Sequence, residues 1–255
     1  MTAGGPILLI DTATTRAVIA LGAADGTLIE QRLWTAGYRH GEELLTRIDG
    51  LLTDRGIALT DLGALAVGTG PGAFTGLRVG IATAKGLAHA MRLPIVGIPT
   101  GLALLDAASA ATRDVDRGSA ATRGADAAAP VLVLLQPAGP NDRSFLRPGE
   151  IARILVGGTD PELGDGERLV AVDLAGRADD SAVALGETAV EGLAAAMLAT
   201  AARRLAADDA DDLATLVPEY VTLPRGVRMP PTDDGVEVSG ASPRPIAGAT
   251  KADPA

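Results

Sequence analysis

The 255-residue sequence contains no cysteine and has two histidines. A disulfide framework and thiolate metal sites are therefore excluded, as is typical of proteins of the reducing cytosol. The histidines, His40 and His89, are far apart in the sequence, so no two-histidine metal site is predicted. The sequence also lacks a Gly-x-Ser-x-Gly elbow, and it offers no candidate nucleophile for covalent catalysis.

Long apolar runs and an excess of basic residues are also missing. No stretch reaches the ~18 apolar residues of a membrane span, and no basic segment with an apolar run follows the first residue. We therefore expect a cytoplasmic protein that makes no membrane contact. Because the formal net charge is −10, the chain repels phosphates, and we expect it to reach RNA only through a partner.

Apolar residues, which make up 47% of the chain, are arranged in short runs and helical stripes in the first 105 residues. The predicted elements are strands at 7–10, 18–21 and 27–33, a helix at 42–55, a strand at 64–67, a helix at 75–91 and a strand at 95–98. This order of three strands followed by alternating helices and strands predicts a mixed sheet crossed by helices. Residues 1–105 are therefore predicted to form an N-terminal lobe.

The composition changes after residue 105. Residues 106–129 are rich in alanine and repeat Ser-Ala-Ala-Thr-Arg, so we expect a low-complexity surface insertion. A second, degenerate lobe is predicted over 130–223, and residues 224–255 predict a disordered tail because they are rich in proline, glycine and charge. The elements predicted for the second lobe are strands at 131–135, 151–156 and 169–172, a helix at 188–205 opened by a Thr188/Glu191 capping box, and a short strand or edge segment at 217–221.

A glycine-rich stretch, GTGPGAFTGLRVG from Gly68 to Gly80, joins a predicted strand to a predicted helix. Two interpretations are open. Glycines allow backbone N–H groups to approach an anion at a helix N-terminus, whereas Gly72, Gly76 and Gly80, spaced by four, would also let a helix pack closely against its neighbour. The stretch is neither a Walker motif nor a dinucleotide fingerprint, since the required lysine and the later acidic residue are missing.

The candidate nucleotide-binding residues are Asp11, Thr12, Gly70 and Gly72. Asp11 ends the first predicted strand, where it could hold metal-bound water beside a nucleotide phosphate, or could simply cap a turn. Arg78 likewise has two interpretations, as a partner for an anion or as a solvated residue on the exposed helix face.

Together these residues resemble the TsaB (YeaZ) family. The resemblance rests on the strand ending in Asp11-Thr12, the run from Gly70 to Gly80 with its continuation Ala84-Lys85-Gly86-Leu87-Ala88, and the segment Pro94-Ile95-Val96-Gly97-Ile98. It covers about residues 6–105 and is weaker at the late helix and at residues 218–221. It implies an α/β protein with the actin-like ATPase, or ribonuclease H-like, fold, in which two lobes of mixed sheets are flanked by helices.

The resemblance implies a non-catalytic subunit of the machinery that makes threonylcarbamoyladenosine at position 37 of tRNA. In that family the subunit forms a heterodimer with the catalytic paralogue TsaD, the ATPase TsaE joins them, and tRNA is reached through the complex. No cofactor is required, although ATP or ADP could sit at the partner interface, and the resemblance also allows a homodimer. The alternative is a nucleotide-dependent phosphotransferase or hydrolase of the same fold that uses Asp11 and the glycine loop.

The family's partner interface, carried over, falls on the two helices of the first lobe. The interface residues expected here are Leu44, Ile48, Leu51, Gly76, Leu77, Gly80, Ile81, Thr83, Ala84 and Leu87. Two differences also follow from the resemblance. The catalytic paralogue TsaD has two metal-binding histidines where this chain has residues 99–103, Pro-Thr-Gly-Leu-Ala. Members of the TsaB (YeaZ) family usually carry an aspartate that would face Asp11, and its replacement here by Gln136 argues against nucleotide hydrolysis.

Overall fold

The computed structural model describes residues 4–36, 40–118 and 129–221. The predicted tail and residues 119–128 of the predicted insertion lie outside the described residues. The elements are β1 (Ile7–Asp11), β2 (Arg16–Gly22), β3 (Leu28–Thr35), α1 (His40–Asp54), β4 (Ala64–Gly70), α2 (Phe74–Met91), β5 (Ile95–Pro99), α3 (Thr100–Gly118), β6 (Val131–Pro137), β7 (Arg143–Leu146), β8 (Arg153–Leu155), β9 (Glu167–Ala171) and α4 (Asp180–Ala206).

The first sheet has the strand order β3-β2-β1-β4-β5, with β1 antiparallel to β2 and parallel to β4. Every residue of β1 is buried because helices cover both faces of the sheet. Leu8 and Ile10 face a core that includes residues of α1 and α2, whereas Ile7 and Leu9 face a second core that includes residues of α3 and α4. Full burial on both faces explains why the strand is a continuous apolar run.

The second sheet has the order β8-β7-β6-β9, with β6 parallel to β9 and antiparallel to β7. Leu132 and Leu134 of β6 join the core formed with α3 and α4, so these two helices form a layer between the sheets. Helix α4 is long and apolar enough to span a membrane by length and composition alone. Its ten buried residues, however, include Leu193 and Met197, which pack in the core between the sheets.

Helix α4 begins two turns earlier than the capping signal predicts. Asp179 is the N-cap, and its carboxylate accepts a hydrogen bond from the Ser181 amide at 2.9 Å. The predicted capping box is wrong, because Thr188 lies inside the helix and its hydroxyl donates to the Ala184 carbonyl. The first turns contain few large apolar residues and escape a search for stripes. At Gly186, a Cβ atom would lie 1.9 Å from the carbonyl oxygen of Ala171.

Helix α3 includes the first part of the predicted surface insertion. Residues 106–118 continue this helix, so the predicted boundary after residue 105 falls inside it. Ala107 and Ala108 are buried in its contact with α4, where a Cβ at Gly192 would lie 3.2 Å from the Cβ of Ala107. Alanine is large enough to fill this contact because the two helices approach closely. Of the two alternatives at residues 217–221, the strand is wrong, since these residues form no strand, and the segment instead hydrogen-bonds to the end of β4 through the Glu219 amide and the Thr69 carbonyl.

Candidate functional site

The side chain of Asp11 lies at a junction between β1, the end of β4 and the start of α3. It is fully buried, and both of its oxygens accept hydrogen bonds. Oδ2 accepts from the Thr100 hydroxyl at 2.6 Å, and Oδ1 accepts from the Ala13 amide at 3.0 Å. The Thr100 oxygen in turn accepts from the Gly70 amide at 3.2 Å. Burial raises the pKa of Asp11 above its usual range, and these hydrogen bonds oppose part of that increase.

Other buried polar side chains lie at the same junction or beside it. In the part of the chain that the structure describes, the buried polar side chains come from the ends of β1, β4 and β6, the start of α3 and strand β7. They are Asp11, Thr12, Thr14, Thr69, Thr100, Gln136 and Ser144. Such a concentration between two sheets is typical of a ligand site, so access to it decides the chemistry that it supports.

The glycine-rich loop closes over this junction. A Cβ atom at Gly72 would lie 2.2 Å from the carbonyl oxygen of Ala13, and one at Gly80 would lie 2.2 Å from the Oγ1 of Thr12. The amide of Ala73 donates to the Ala13 carbonyl at 2.7 Å. Of the two open interpretations, close packing therefore describes Gly72, which meets the Ala13 carbonyl, and Gly80, which meets the Thr12 hydroxyl.

Two residues from the second half of the chain form hydrogen bonds to the glycine-rich loop and to the turn that follows β1. The Gln136 amide donates to the Pro71 carbonyl at 2.8 Å, and Gln136 is 4% exposed. Thr15 donates from its backbone amide at 2.7 Å and from its hydroxyl at 2.5 Å to the carboxylate of Asp173. Asp11, Thr12 and Gly70 are buried at this junction, and Gly72, which is half-buried, lies beside them. Nucleotide binding at these four residues stays a prediction.

A cavity of about 420 Å³ lies beside the hydrogen bonds between Thr15 and Asp173. Its polar lining comes from Thr15, Arg16, Thr35, Asp173 and Glu187, and its apolar lining includes Val190 of α4. Among residues 4–36, 40–118 and 129–221, no group of three or more His, Asp or Glu side chains is arranged to hold a metal ion.

Most of the predicted partner-interface residues lie in the core. The apolar stripes of α1 and α2 pack against the first sheet, so little of these side chains remains for a partner. Leu44, Ile48, Leu51, Gly76, Leu77, Gly80, Ile81 and Ala84 are buried, whereas Thr83 and Leu87 are half-buried. The eight buried residues therefore have little surface left to contact a partner in this arrangement, and the expected interface itself stays a prediction.

A different set of residues forms the outer surface of these helices. Leu45 of α1 is 56% exposed, and Thr75, Ala82 and Gly86 of α2 are exposed, with Val79 half-buried between them. The four residues of α2 follow helical spacing and share one face. Sequence periodicity could have identified this face as the side opposite the larger apolar residues.

Arg78 also lies on the outer side of α2, where it contacts Phe74 of the same helix and Tyr220, which is distant in the sequence. Its guanidinium stacks over the ring of Phe74, and its Nε donates to the hydroxyl of Tyr220 at 2.9 Å. Tyr220 is preceded by Glu219, whose carboxylate accepts from the Thr69 hydroxyl at 2.8 Å. The sequence separation of 142 residues between Arg78 and Tyr220 explains why no local pattern revealed this contact.

The two sheets, their helices and the closed junction between them define the class of protein: it has the actin-like ATPase fold. The solved structure of YeaZ from Pseudomonas aeruginosa is similar in fold, with a TM-score of 0.56 and 22% sequence identity, and the match covers 85% of this chain and 99% of that one. A second structure, titled an uncharacterized protein with similarity to peptidase YEAZ from Pseudomonas aeruginosa, has the same TM-score and identity and covers 86% and 100%.

Sequence comparison finds similar proteins over part of the chain. The model of "TsaD: tRNA N6-adenosine threonylcarbamoyltransferase" matches residues 35–117. The tRNA threonylcarbamoyladenosine biosynthesis protein TsaB of Escherichia coli (strain K12) is 44% identical over 94 residues, which are 37% of this chain and 40% of that protein. TsaB of Haemophilus influenzae is 38% identical over 103 residues, covering 40% and 42%. The matched part spans less than half of either relative, and it confirms the resemblance to the TsaB (YeaZ) family.

Proposed function

We propose that this chain is a non-catalytic subunit of the machinery that makes threonylcarbamoyladenosine in tRNA, and that it pairs with TsaD. The names of the TsaB relatives support a role in threonylcarbamoyladenosine biosynthesis. The residues that the TsaD family model matches include α1, the glycine-rich loop and α2. Because the match spans only part of each relative, the activity of the whole assembly and the identity of the partner belong to this proposal.

The closed junction at Asp11 carries the non-catalytic part of the proposal. A phosphotransferase or hydrolase needs a carboxylate within hydrogen-bond reach of its substrate. Here the carboxylate of Asp11 is fully buried and bound to Thr100 and Ala13, and Gln136 fixes the loop that covers it. The alternative enzyme would have to break these contacts before a nucleotide could enter.

The exposed surfaces of α1 and α2 are the proposed contact with TsaD. Thr75, Ala82 and Gly86 are small, so the helix of a partner could approach α2 closely, as small residues allow where helices cross. Leu45 adds an exposed apolar side chain next to this surface, and its full burial would contribute ~1.5–3 kcal/mol before the costs of association. This surface replaces the buried residues that the sequence pattern suggests.

The remaining parts of the proposal rest on the resemblance and on charge. With a net charge of −10, the chain reaches tRNA only as part of the complex. TsaE is the third component, a homodimer forms when TsaD is absent, and the assembly works in the cytoplasm. ATP or ADP at the interface with the partner also belongs to the proposal.

Co-purification with the cognate TsaD tests the pairing. Ala82→Asp places a charge on the proposed surface, and Ala195→Asp makes the same change at an exposed position of α4. We expect the unmodified chain and Ala195→Asp to co-elute with TsaD, and Ala82→Asp to lose at least about tenfold in affinity, as for a charge buried without a partner. Gly80→Leu and Ile81→Asp are unsuitable, because both positions lie in the core.

Calorimetry with ATP and magnesium tests the non-catalytic role. We expect no tight binding by the isolated chain. Tight binding with turnover that is lost in Asp11→Asn would establish the enzyme instead, and pairing unaffected by Ala82→Asp would reject the proposed surface.

A further inference from the structure

An arginine that stacks on one aromatic ring and donates to the hydroxyl of a second lies at the N-terminal end of α2. The centre of the Arg78 guanidinium is 3.7 Å from the centroid of the Phe74 ring and 5.8 Å from that of Tyr220, and the two rings are 5.1 Å apart. The sequence has two phenylalanines and two tyrosines in all, and one of each is at this site. Arg78 is exposed and Tyr220 is 37% exposed, so the group faces solvent rather than the core.

The segment that contains Tyr220 is fixed against the first lobe. The backbone amide of Glu219 donates to the Thr69 carbonyl at 2.8 Å, and the Thr69 hydroxyl donates back to the Glu219 carboxylate. Further along α2, the ammonium of Lys85 donates to the Leu216 carbonyl at 3.1 Å. Three hydrogen bonds, two between Thr69 and Glu219 and one between Lys85 and Leu216, thus set the position of Tyr220 beside Arg78.

This arrangement orders the guanidinium before any partner arrives. Stacking on Phe74 and the bond from Nε to Tyr220 fix its plane, which lowers the side-chain entropy that would be lost on binding. The terminal N–H groups are the donors that pair with a carboxylate in a bidentate manner. Within the described ranges 4–36, 40–118 and 129–221, no carboxylate forms an ion pair with Arg78.

We propose that Arg78, positioned by Phe74 and Tyr220, binds a carboxylate of the partner protein that packs on the exposed face of α2, and that the segment of Tyr220 is part of this interface. The inference rests on the proposed function, because it concerns the same partner. Arg78 adjoins the proposed surface directly, since Thr75 and Ala82 lie one turn before and one turn after it on α2. Arginine and tyrosine in such a setting are the residues that dominate interface energetics.

The neighbouring charge favours a carboxylate as the occupant. In a chain of net charge −10, Arg78 is an exposed cation. The nearest acidic group on the adjoining segment, Glu219, is engaged by Thr69, and partial burial raises the pKa of its carboxyl, which favours the neutral form. An acidic side chain of a partner therefore meets the complementary charge at this point.

RNA fits this site less well. A base would need an open aromatic face to stack on, but the face of Phe74 is covered by the guanidinium of Arg78 and its ring packs against Tyr220. The net charge also repels a phosphate backbone. What remains available is the edge of the guanidinium, which suits a single carboxylate.

The test measures the affinity of the full chain for TsaD by calorimetry at two salt concentrations. The variants are Arg78→Ala, Arg78→Lys, Tyr220→Ala and, as the matched control, Arg113→Ala, which removes an exposed arginine of α3. We expect Arg78→Ala to weaken binding by roughly 30-fold or more, as for a hot-spot arginine, and to reduce the salt dependence. Arg78→Lys and Tyr220→Ala should each weaken it by about tenfold, and Arg113→Ala by less than about twofold.

Thermal unfolding of each variant checks that the fold is intact, which the exposure of these side chains leads us to expect. Unchanged affinity in Arg78→Ala, while Ala82→Asp still weakens pairing, would overturn this inference and leave the proposed function standing. Failure of the unmodified chain to bind TsaD would overturn both. Unchanged affinity for TsaD combined with a loss of tRNA binding by the complex would assign Arg78 to RNA and would also overturn the inference.

Discussion

Replacing Gly80 by alanine tests whether the glycines of α2 exist for close packing. A methyl group at Gly80 would lie 2.2 Å from the Oγ1 of Thr12, a buried hydroxyl that donates to the Gly76 carbonyl at 2.7 Å. The hydroxyl must therefore move and lose its bond. The same substitution at Gly86, an exposed glycine of the same helix with no atom within 4 Å of the added Cβ, provides the matched control.

The expected free energies have opposite signs at the two positions. Alanine in place of glycine stabilises a helix by ~1 kcal/mol, and Gly86→Ala should show most of that gain. At Gly80, overpacking costs ~1–3 kcal/mol and the lost hydrogen bond costs about 1 kcal/mol more. We therefore expect Gly80→Ala to destabilise the protein by about 1–3 kcal/mol in urea unfolding of the isolated chain.

A double variant isolates the contact. Thr12→Ala removes the hydroxyl, so that the methyl group at position 80 would meet only the Cβ of residue 12 at 3.4 Å, an ordinary contact. Adding Gly80→Ala to Thr12→Ala should then show the helix gain of ~1 kcal/mol expected at Gly86, which gives a coupling energy of about 2–4 kcal/mol. Additive effects, or a gain of stability in Gly80→Ala like that in Gly86→Ala, would refute the packing explanation.

Two further predictions concern pH. Burial raises the pKa of Asp11 in the folded state, so that state binds more protons than the unfolded one, and the unmodified chain should lose stability relative to Asp11→Asn as pH rises above the ordinary value of 3.8. A constant difference in urea unfolding free energy between pH 4 and 8 would contradict this. The two-pronged bond from Arg147 lowers the pKa of Glu167 from 4.5 to about 2. The stabilisation measured against Arg147→Ala should therefore be complete above about pH 5 and decline as pH falls toward 2, whereas a difference independent of pH would show that the pair contributes nothing.

The sequence predicts the first lobe well because large apolar side chains mark its elements. Residues 7–10 are a continuous apolar run, as expected of a strand that is covered on both faces. The apolar stripe of α1 places Leu44 and Ile48 against the sheet. Helix α3 and the start of α4 are filled by alanine and glycine, which carry little periodic signal, and their burial depends on how closely two helices approach. That distance is a tertiary property and cannot be read from local spacing.

The burial of the expected interface residues has a different explanation. Periodicity shows which side of α2 is apolar, but it does not show whether that side meets the protein's own sheet or another chain. Leu77, Ile81 and Ala84 have the character of an interface and yet are buried in the monomer. The contact of Arg78 with Tyr220 joins positions 142 residues apart, so it follows only from the fold.

The junction at Asp11 shows why the same residues allowed two interpretations. Phosphate binding and close packing both require a missing Cβ, and the atom that the backbone meets decides between them. At Gly72 that atom is the Ala13 carbonyl oxygen, to which the Ala73 amide also donates. Gln136 completes the closure, because its amide can donate to the Pro71 carbonyl at 2.8 Å, whereas an ionised aspartate offers only acceptors. A carboxylate at residue 136 would face that carbonyl oxygen without a proton between them, so the closed loop requires the donor that glutamine supplies.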